Sequence, residues 1–439
     1  MKRYETYKDS GIEWLGEIPE HWRVAKLKNI CILITDGSHF SPQTIHDGGL
    51  PYITVSNVYS DSIHVEEALR ISNDDFNLLV KNGCQPESGD VLLSKDGTVG
   101  RSAIVEENNY VVLSSLGILR PGNLLISKYF KYSLDSSSLQ EQMKLAMAGS
   151  ALRRITIEKI KLLLLTLPSV EEQKIIVSYL DYTIGKVNSL ISAKEKQVED
   201  LQQYRSSIIS EAVTRGLHPD VEYKDSGIEW IGQIPKHWDV NFLKRVSDVF
   251  TGSTPSTSRS HYWDNATKNW YTPSDFSDDI HLHESDRKVS EKAYLDNACR
   301  VFPKETVFIV GIGATLGKVG IASSECSANQ QINAVVFNKK VDSKYGAYYL
   351  YSKKEYMNAV ANTATLPILN QSATKELAIV VPPLPEQQEI ADFLDAKTSK
   401  IDATIQQLKT QIEDLRQYKK SVISEAVTGK VDLRDWKPK

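Results

Sequence analysis

The sequence is poor in the features that mark membrane, secreted or metal-clamped proteins. Its 439 residues hold four cysteines, Cys31, Cys84, Cys299 and Cys326, widely spaced and never in a CxxC pair. That spacing argues against a zinc clamp or a disulfide framework and suits a reducing cytoplasm. No apolar run approaches a membrane span; the longest, Ile160–Leu167, carries a lysine and a threonine and has core-strand length. The opening MKRYETYKDS lacks the apolar stretch of a signal peptide. Basic residues are not in excess, since the net charge is −4. That balance speaks mildly against nucleic-acid binding, but a sum over all faces does not exclude a local basic groove.

Catalytic signatures are also missing. Gly311-Ile-Gly313 with Gly317-Lys318 fails as a phosphate loop, because Ile312 stands five before Gly317 and Val319 follows Lys318. A dinucleotide fingerprint would need glycine where Leu316 stands. Asp220 and the Glu222-x-Lys224 pair are too close together for a nuclease metal site. No HExxH, Gly-x-Ser-x-Gly or Asn-Pro-Pro-Tyr motif occurs. The expectation is a chain with no catalytic residues, no metal site and no bound cofactor.

What the chain does contain is a duplication. YKDSGIEWLGEIPEHW (Tyr7–Trp22) returns as YKDSGIEWIGQIPKHW (Tyr223–Trp238), an offset of 216 residues. RSSIISEAVT (Arg205–Thr214) returns as KKSVISEAVT (Lys419–Thr428). The period is far too long for a solenoid, so the repeating unit is a whole domain. The stretches between these frames, Arg23–Pro168 and Asp239–Pro383, match each other weakly. Constant frames around divergent inserts suggest one scaffold holding two different readers.

Each insert is followed by a long helical pattern. The first opens on Ser169-Val-Glu-Glu172, the spacing of a capping box, and ends at Gly216. Its seam is Leu180, Ile184, Val187, Ile191, Val198, Leu201 and Ile208, with Lys194 and Arg205 at positions that ask for apolar residues. The second runs from Leu384 to Gly429, with Pro385 in its first turn and a seam of Leu394, Ile401, Ile405, Leu408, Ile412, Leu415 and Val422. The two seams lie in register at an offset of 214 residues. Helices of roughly 45 residues, about 65–70 Å long, need a partner for such a stripe. The nearest partner is each other, as an antiparallel coiled coil about a pseudo-two-fold axis. The expected fold class is therefore α+β, with two mixed α/β domains separated by two long helices.

Within the inserts, β-rich runs (Pro51–Val55, Asp90–Ser94, Thr306–Val310, Ala334–Phe337) alternate with turns, and helical stretches Lys128–Leu145 and Lys344–Val360 come late. Two landmarks recur. Ser94–Arg101 (SKDGTVGR) parallels Gly311–Lys318 (GIGATLGK), and Tyr52–Asn57 parallels Trp270–Asp275. Lys95, Arg101, Arg153, Arg154, Arg259, Arg287 and Lys318 are candidates to neutralise phosphates, with Thr98 and Thr315 in the glycine turns. Asn329, Gln330, Gln331, Asn370 and Gln371 carry amides that can pair with adenine. Each alone is an ordinary surface or turn residue; the two-reader layout is what groups them.

Taken together, the duplicated frame, the Glu172-Gln173 and Glu386-Gln387 helix starts, the Ser-Glu-Ala-Val-Thr helix ends, Thr35-Asp-Gly-Ser-His39, and Thr251-Gly-Ser-Thr-Pro255 with Tyr262-Trp263 closely resemble the specificity subunit of type I restriction-modification systems. The resemblance covers essentially the whole chain. It implies frame segments at 1–22 and 217–238, target-recognition domains at 23–168 and 239–383, a spacer helix at 169–216, and a second long helix with a C-terminal tail at 384–439. Each recognition domain would read one half of an interrupted double-stranded DNA site. Two methyltransferase subunits would dock on the scaffold and carry S-adenosylmethionine. Restriction subunits would add ATP and Mg chemistry, and no membrane is implied. Alternatives are the specificity subunit of a solitary methyltransferase complex, a structural scaffold that binds no DNA, and a stand-alone enzyme, which the missing motifs disfavour.

Overall fold

The computed structural model describes residues 2–59, 62–147, 153–361 and 367–438. The chain divides into two compact units, the first made of Met1–Glu195 with Lys409–Lys439 and the second of Lys196–Leu408. The division cuts through both long helices, Val170–Arg215 and Leu384–Val427. Each unit therefore owns the start of one helix and the end of the other, a partition that linear domain boundaries do not express.

The first unit holds a four-stranded antiparallel sheet in the order Cys31–Asp36, Leu116–Pro121, Val91–Ser94, Ser102–Ile104. A smaller sheet orders Leu69–Ile71, Leu50–Ile53 and Val111–Val112. The second unit repeats the plan. Its main sheet runs Ser247–Thr251, Ile332–Phe337, Val307–Val310, Val319–Ala322, with an added fifth strand, His281–Leu282. Its smaller sheet orders Lys288–Val289, Lys268–Tyr271 and Ser327–Ala328. Central strands such as Val91–Ser94 and Val307–Val310 are buried along their whole length, which explains why they read as unbroken apolar runs rather than alternating ones.

Three expected elements come out differently. The run 128–145 is two helices, Ser127–Asp135 and Ser137–Met147, because Ser136 adopts an extended conformation between them. The run 344–360 likewise breaks at Lys353 into Ser343–Ser352 and Lys354–Ala361. The strand over 51–55 stops at Ile53, since Thr54 instead caps a short 3-10 turn.

The repeated frame packs against a helix end in both units. Tyr7–Asp9 pairs with Glu17–Pro19, and Tyr223–Asp225 with Gln233–Pro235, in the same antiparallel register. Trp22 and Trp238, which close the frames, are fully buried. In the first unit the frame meets the end of the second helix: Tyr7 Oη donates to Gly429 O at 3.1 Å, and Lys430 Nζ to Leu15 O at 3.1 Å. In the second unit the frame meets the end of the first helix, where a Cβ on Gly216 would lie 3.0 Å from Trp238. Both terminating glycines have left-handed φ, +78° at Gly216 and +71° at Gly429. The SEAVT-glycine ending and the IPxHW frame thus recur together because they form one packed joint.

A second shared joint ties helix start to domain. Gln173 Oε1 accepts from Ile126 N (2.9 Å), while its Nε2 donates to Leu124 O (2.8 Å) and Pro168 O (3.1 Å). Gln387 repeats this with Asp342 N (2.8 Å), Lys340 O (3.0 Å) and Pro382 O (2.8 Å). The capping box at Ser169 is half formed. Glu172 N donates to Ser169 Oγ, but the Glu172 carboxylate accepts from Tyr4 Oη at 2.6 Å and pairs with His21 instead of returning to the cap.

In each unit the two helix portions run antiparallel. In the first, Lys419 Nζ reaches Asn188 Oδ1 at 3.1 Å and Arg416 pairs with Glu195 at 2.9 Å, so rising numbers meet falling ones. Ile184, Val187, Ile401, Ile405 and Ile412 are buried. Ile191, Val198, Leu201, Leu408 and Leu415 are half-buried. Lys194, the first polar residue in the seam, donates to Gln411 Oε1 at 2.6 Å. Among the described residues no helix is long and apolar enough to cross a membrane.

Candidate nucleic-acid interface

The two main sheets carry equivalent loop clusters at one end. The first cluster gathers Asp36–His39, Lys95–Arg101, Leu113–Ser115 and Arg153–Ile155. Gly37 N donates to Leu116 O, Ser38 N to Val112 O, Lys95 N to Ser115 O and Ile155 N to Lys95 O. The second makes the same bonds from Gly252 N to Ile332 O, Ser253 N to Ala328 O, Gly311 N to Gln331 O and Leu369 N to Gly311 O. A Cβ on Gly37 or Gly252 would lie 2.0 or 2.2 Å from the carbonyl oxygen of Val112 or Asn329. Only glycine allows the loop to cross there.

These bonds correct the alignment of the glycine turns. Lys95, not Ser94, is the counterpart of Gly311, while Gly100 still matches Gly317, because Gly100 N bonds Ser94 O and Gly317 N bonds Val310 O. The second turn is one residue longer. The other landmark matches without a gap. Thr54 N donates to Asn57 Oδ1 at 2.9 Å and Thr272 N to Asp275 Oδ2 at 2.6 Å, each within a reciprocal cap.

On this shared backbone the side chains differ. In the first cluster Lys95 is 1% exposed, with its ammonium 3.3 Å from Asp36 and 3.1 Å from Asp96. Asp96 also pairs with Arg154 at 3.0 Å, and His39 lies 3.3 Å from Asp36. Burial takes Lys95 away from a direct phosphate contact and makes it the internal counter-ion of two carboxylates. Arg153, Arg154 and Thr98 are exposed and Arg101 is half-buried.

In the second cluster most of the expected amides hold the loops themselves. Asn329 Nδ2 donates to Gln331 Oε1 at 3.0 Å, and Asn329 Oδ1 accepts from Gln331 N. Asn370 caps a short helix by accepting from Ala373 N at 2.8 Å, and Gln371 Nε2 donates to Val249 O. Lys318 Nζ is pinned on Phe276 O at 2.9 Å, and Thr315 O accepts from Lys318 N. Gln330 is exposed and accepts from the Thr254 hydroxyl; Arg259 is exposed and reaches Tyr262 Oη at 3.1 Å. Sequence reasoning missed Asp36 and Asp96 as partners of Lys95, and Asn333, whose amide joins Leu369 O (2.7 Å) to Thr374 Oγ1 (2.9 Å). No local pattern marks these residues; strand pairing alone brings them to the loops.

One grouping with metal-ligand chemistry occurs among the described residues, at half-buried His64 with exposed Glu66 and Glu67. His64 there lies against Tyr59, with ring centroids 4.2 Å apart and the planes tilted by 32°, and pairs with Glu67 at 3.4 Å.

The model of the type I restriction modification DNA specificity domain matches residues 19–200 and again 235–414. The chain belongs to this family. As a specificity subunit it carries two target-recognition domains, one in each half of the duplication. It is 24% identical, over 98% of its length and 97% of the relative's, to the putative type I restriction enzyme MjaX specificity subunit of Methanocaldococcus jannaschii. With the MjaIX specificity subunit of the same organism identity is 35%, over 45% of this chain and 44% of that protein. A solved structure, described as the structural basis underlying complex assembly and conformational transition of the type I R-M system, superposes with a TM-score of 0.71 at 16% identity. It covers 94% of this specificity subunit and 99% of that chain.

Proposed function

We propose that this specificity subunit reads an interrupted double-stranded DNA site, one half with each loop cluster, and holds no catalytic residues of its own. The observation that carries this reading is the pair of clusters, alike in backbone bonds and unlike in side chains. A frame that fixes the loops and leaves their side chains free to differ suits two readers of different base sequences. The long helices would set the interval between the two half-sites. Methyltransferase subunits, and restriction subunits where present, would dock on the frames and helices. S-adenosylmethionine, ATP and Mg belong to those partners in this reading.

The test is a reconstitution. The purified chain alone is expected to transfer no methyl group and hydrolyse no ATP. Added to a type I methyltransferase subunit with S-adenosylmethionine, it should direct methylation to a two-part motif. Methylation by the chain alone, or a reconstituted complex without sequence preference, refutes the reading.

A further inference from the structure

We propose that Arg287 is a base-reading arginine of the second recognition domain and recognises a guanine edge in the major groove. The inference rests on the DNA-reading function proposed above and adds the residue and the base. The Arg287 guanidinium lies over two indoles, 4.5 Å from the Trp263 ring centroid and 5.0 Å from that of Trp270. The two rings meet edge to face at 86°, with centroids 5.2 Å apart, and form a corner for the cation. Each indole is pinned in turn: Trp270 Nε1 donates to Ser253 O at 3.0 Å and Trp263 Nε1 to Ser256 O at 3.2 Å. The Arg287 carbonyl accepts from Trp270 N and from Ser285 Oγ, so its backbone is fixed as well.

The head of this side chain is otherwise unused. Arg287 is exposed, and among the described residues no carboxylate lies within ion-pair distance of it and no protein acceptor takes its side-chain donors. Structural arginines in this chain behave differently: Arg120 forks onto Asp90 at 2.9 and 3.0 Å, and Arg205 is spent on Asp402 and Tyr351. Arg287 instead rests an unpaired fork of donors against Trp270, whose indole is bonded to Ser253 O in the loop cluster. A planar guanidinium fork backed by two indoles matches guanine O6 and N7 bidentately.

A phosphate could accept the same fork. The duplication argues against it. The pairings Lys268↔Val289 and Leu50↔Ile71 place Leu69 where Arg287 stands in the other domain. Any DNA offers phosphates to both readers, whereas a contact present in one reader only suits one base sequence.

The experiment compares Arg287→Ala, Arg287→Lys and Trp263→Ala in the full chain assembled with a methyltransferase subunit. The readouts are the methylated motif in genomic DNA and binding to duplexes over a salt series. All three variants should lose preference for guanine at one position of one half-site, by roughly tenfold to a hundredfold. The other half-site should stay intact, and Arg287→Lys should keep the wild-type salt slope. A uniform loss over all sequences, with a shallower slope in Arg287→Ala restored by Arg287→Lys, makes it a phosphate contact and overturns the proposal. An unchanged motif overturns it too. A wild-type complex without sequence preference refutes the DNA-reading function itself, and the proposal with it.

Discussion

Arg205 and Asp402 meet at 2.9 Å across the two helix portions of the second unit, with Arg205 only 4% exposed. Arg205 Nη1 also donates to Tyr351 Oη at 2.8 Å. Burial pushes the Asp402 carboxyl above its usual range; Arg205 opposes this, and Asp279 and Asp278 add to it. Position 205 is where the heptad seam asks for an apolar residue. Asp402→Ala should therefore cost about 1–2 kcal/mol in unfolding free energy, because Arg205 is left with Tyr351 alone, while the 42% exposure of the Asp402 side chain lets solvent offset part of the loss. The double change Arg205→Leu with Asp402→Ala, which removes the pair and restores an apolar seam, should change stability by less than about 1 kcal/mol. Urea unfolding of the two variants checks the order. Equal costs would mean that the pair itself, rather than the buried charge, sets the energy.

Gly216 and Gly429 test the frame-to-helix joint. Each combines left-handed φ with contact on the frame, and a Cβ on Gly429 would lie 2.4 Å from the Pro19 ring. Alanine at either should destabilise by about 1–3 kcal/mol. Gly185, inside the first helix with nothing within 4 Å of its would-be Cβ, is the control. Gly185→Ala should stabilise by about 0.5–1 kcal/mol. Thermal unfolding of the three variants separates a joint from ordinary helix propensity.

Lys353 supplies a pH signature. Its ammonium sits among rings, 5.4 Å from Trp230 and 5.3 Å from Tyr349, and burial pushes its pKa down to about 8. A lysine whose pKa falls on folding penalises the fold while charged. The penalty is full below about pH 8 and fades as pH climbs toward the unfolded value near 10.5. Lys353→Met should stabilise the chain by about 1–2 kcal/mol at pH 7, less any lost cation–π attraction. The gain should vanish near pH 10.5. A gain that does not change with pH would place its origin in packing.

Lys95 and Arg154 separate support from recognition. Lys95→Met leaves Asp36 and Asp96 without their buried counter-ion and should cost about 3 kcal/mol or more in stability. Arg154→Ala, at a side chain 50% exposed, should leave the melting temperature nearly unchanged. It should weaken DNA binding evenly over sequences and lower the salt slope by about one. Melting curves and salt-dependent binding of both variants give the comparison.

The sequence discloses what depends on period and repetition. The frames, both long helices and the two glycine turns are legible because identical residues recur at fixed offsets or at heptad spacing. Gly216 and Gly429 could be read as helix stops, though not as surfaces for Trp238 and Trp22. The extra residue in the second glycine turn was invisible, since Gly100 and Gly317 align perfectly while the bonds that reveal the shift come from Ile155 and Leu369. The role of Lys95 was equally hidden, because Asp36 stands on a strand almost sixty residues earlier. Arg287 appears in the sequence as one cation among many. Only the pairing of 268–269 with 288–289 lays it against two tryptophans.

The central claim is that two readers act independently and the helices set their interval. The unit boundaries fall after Glu195 and after Leu408. One heptad inserted at both positions leaves the contacts within each unit intact and keeps the hydrophobic seam in phase. Each insertion adds about 10 Å of helix, or about three base-pair steps. The measurement is the methylated motif of the lengthened subunit, read from genomic DNA with its methyltransferase partner present. The account expects both half-sites unchanged and a longer gap between them. An active complex that keeps the original gap would contradict it.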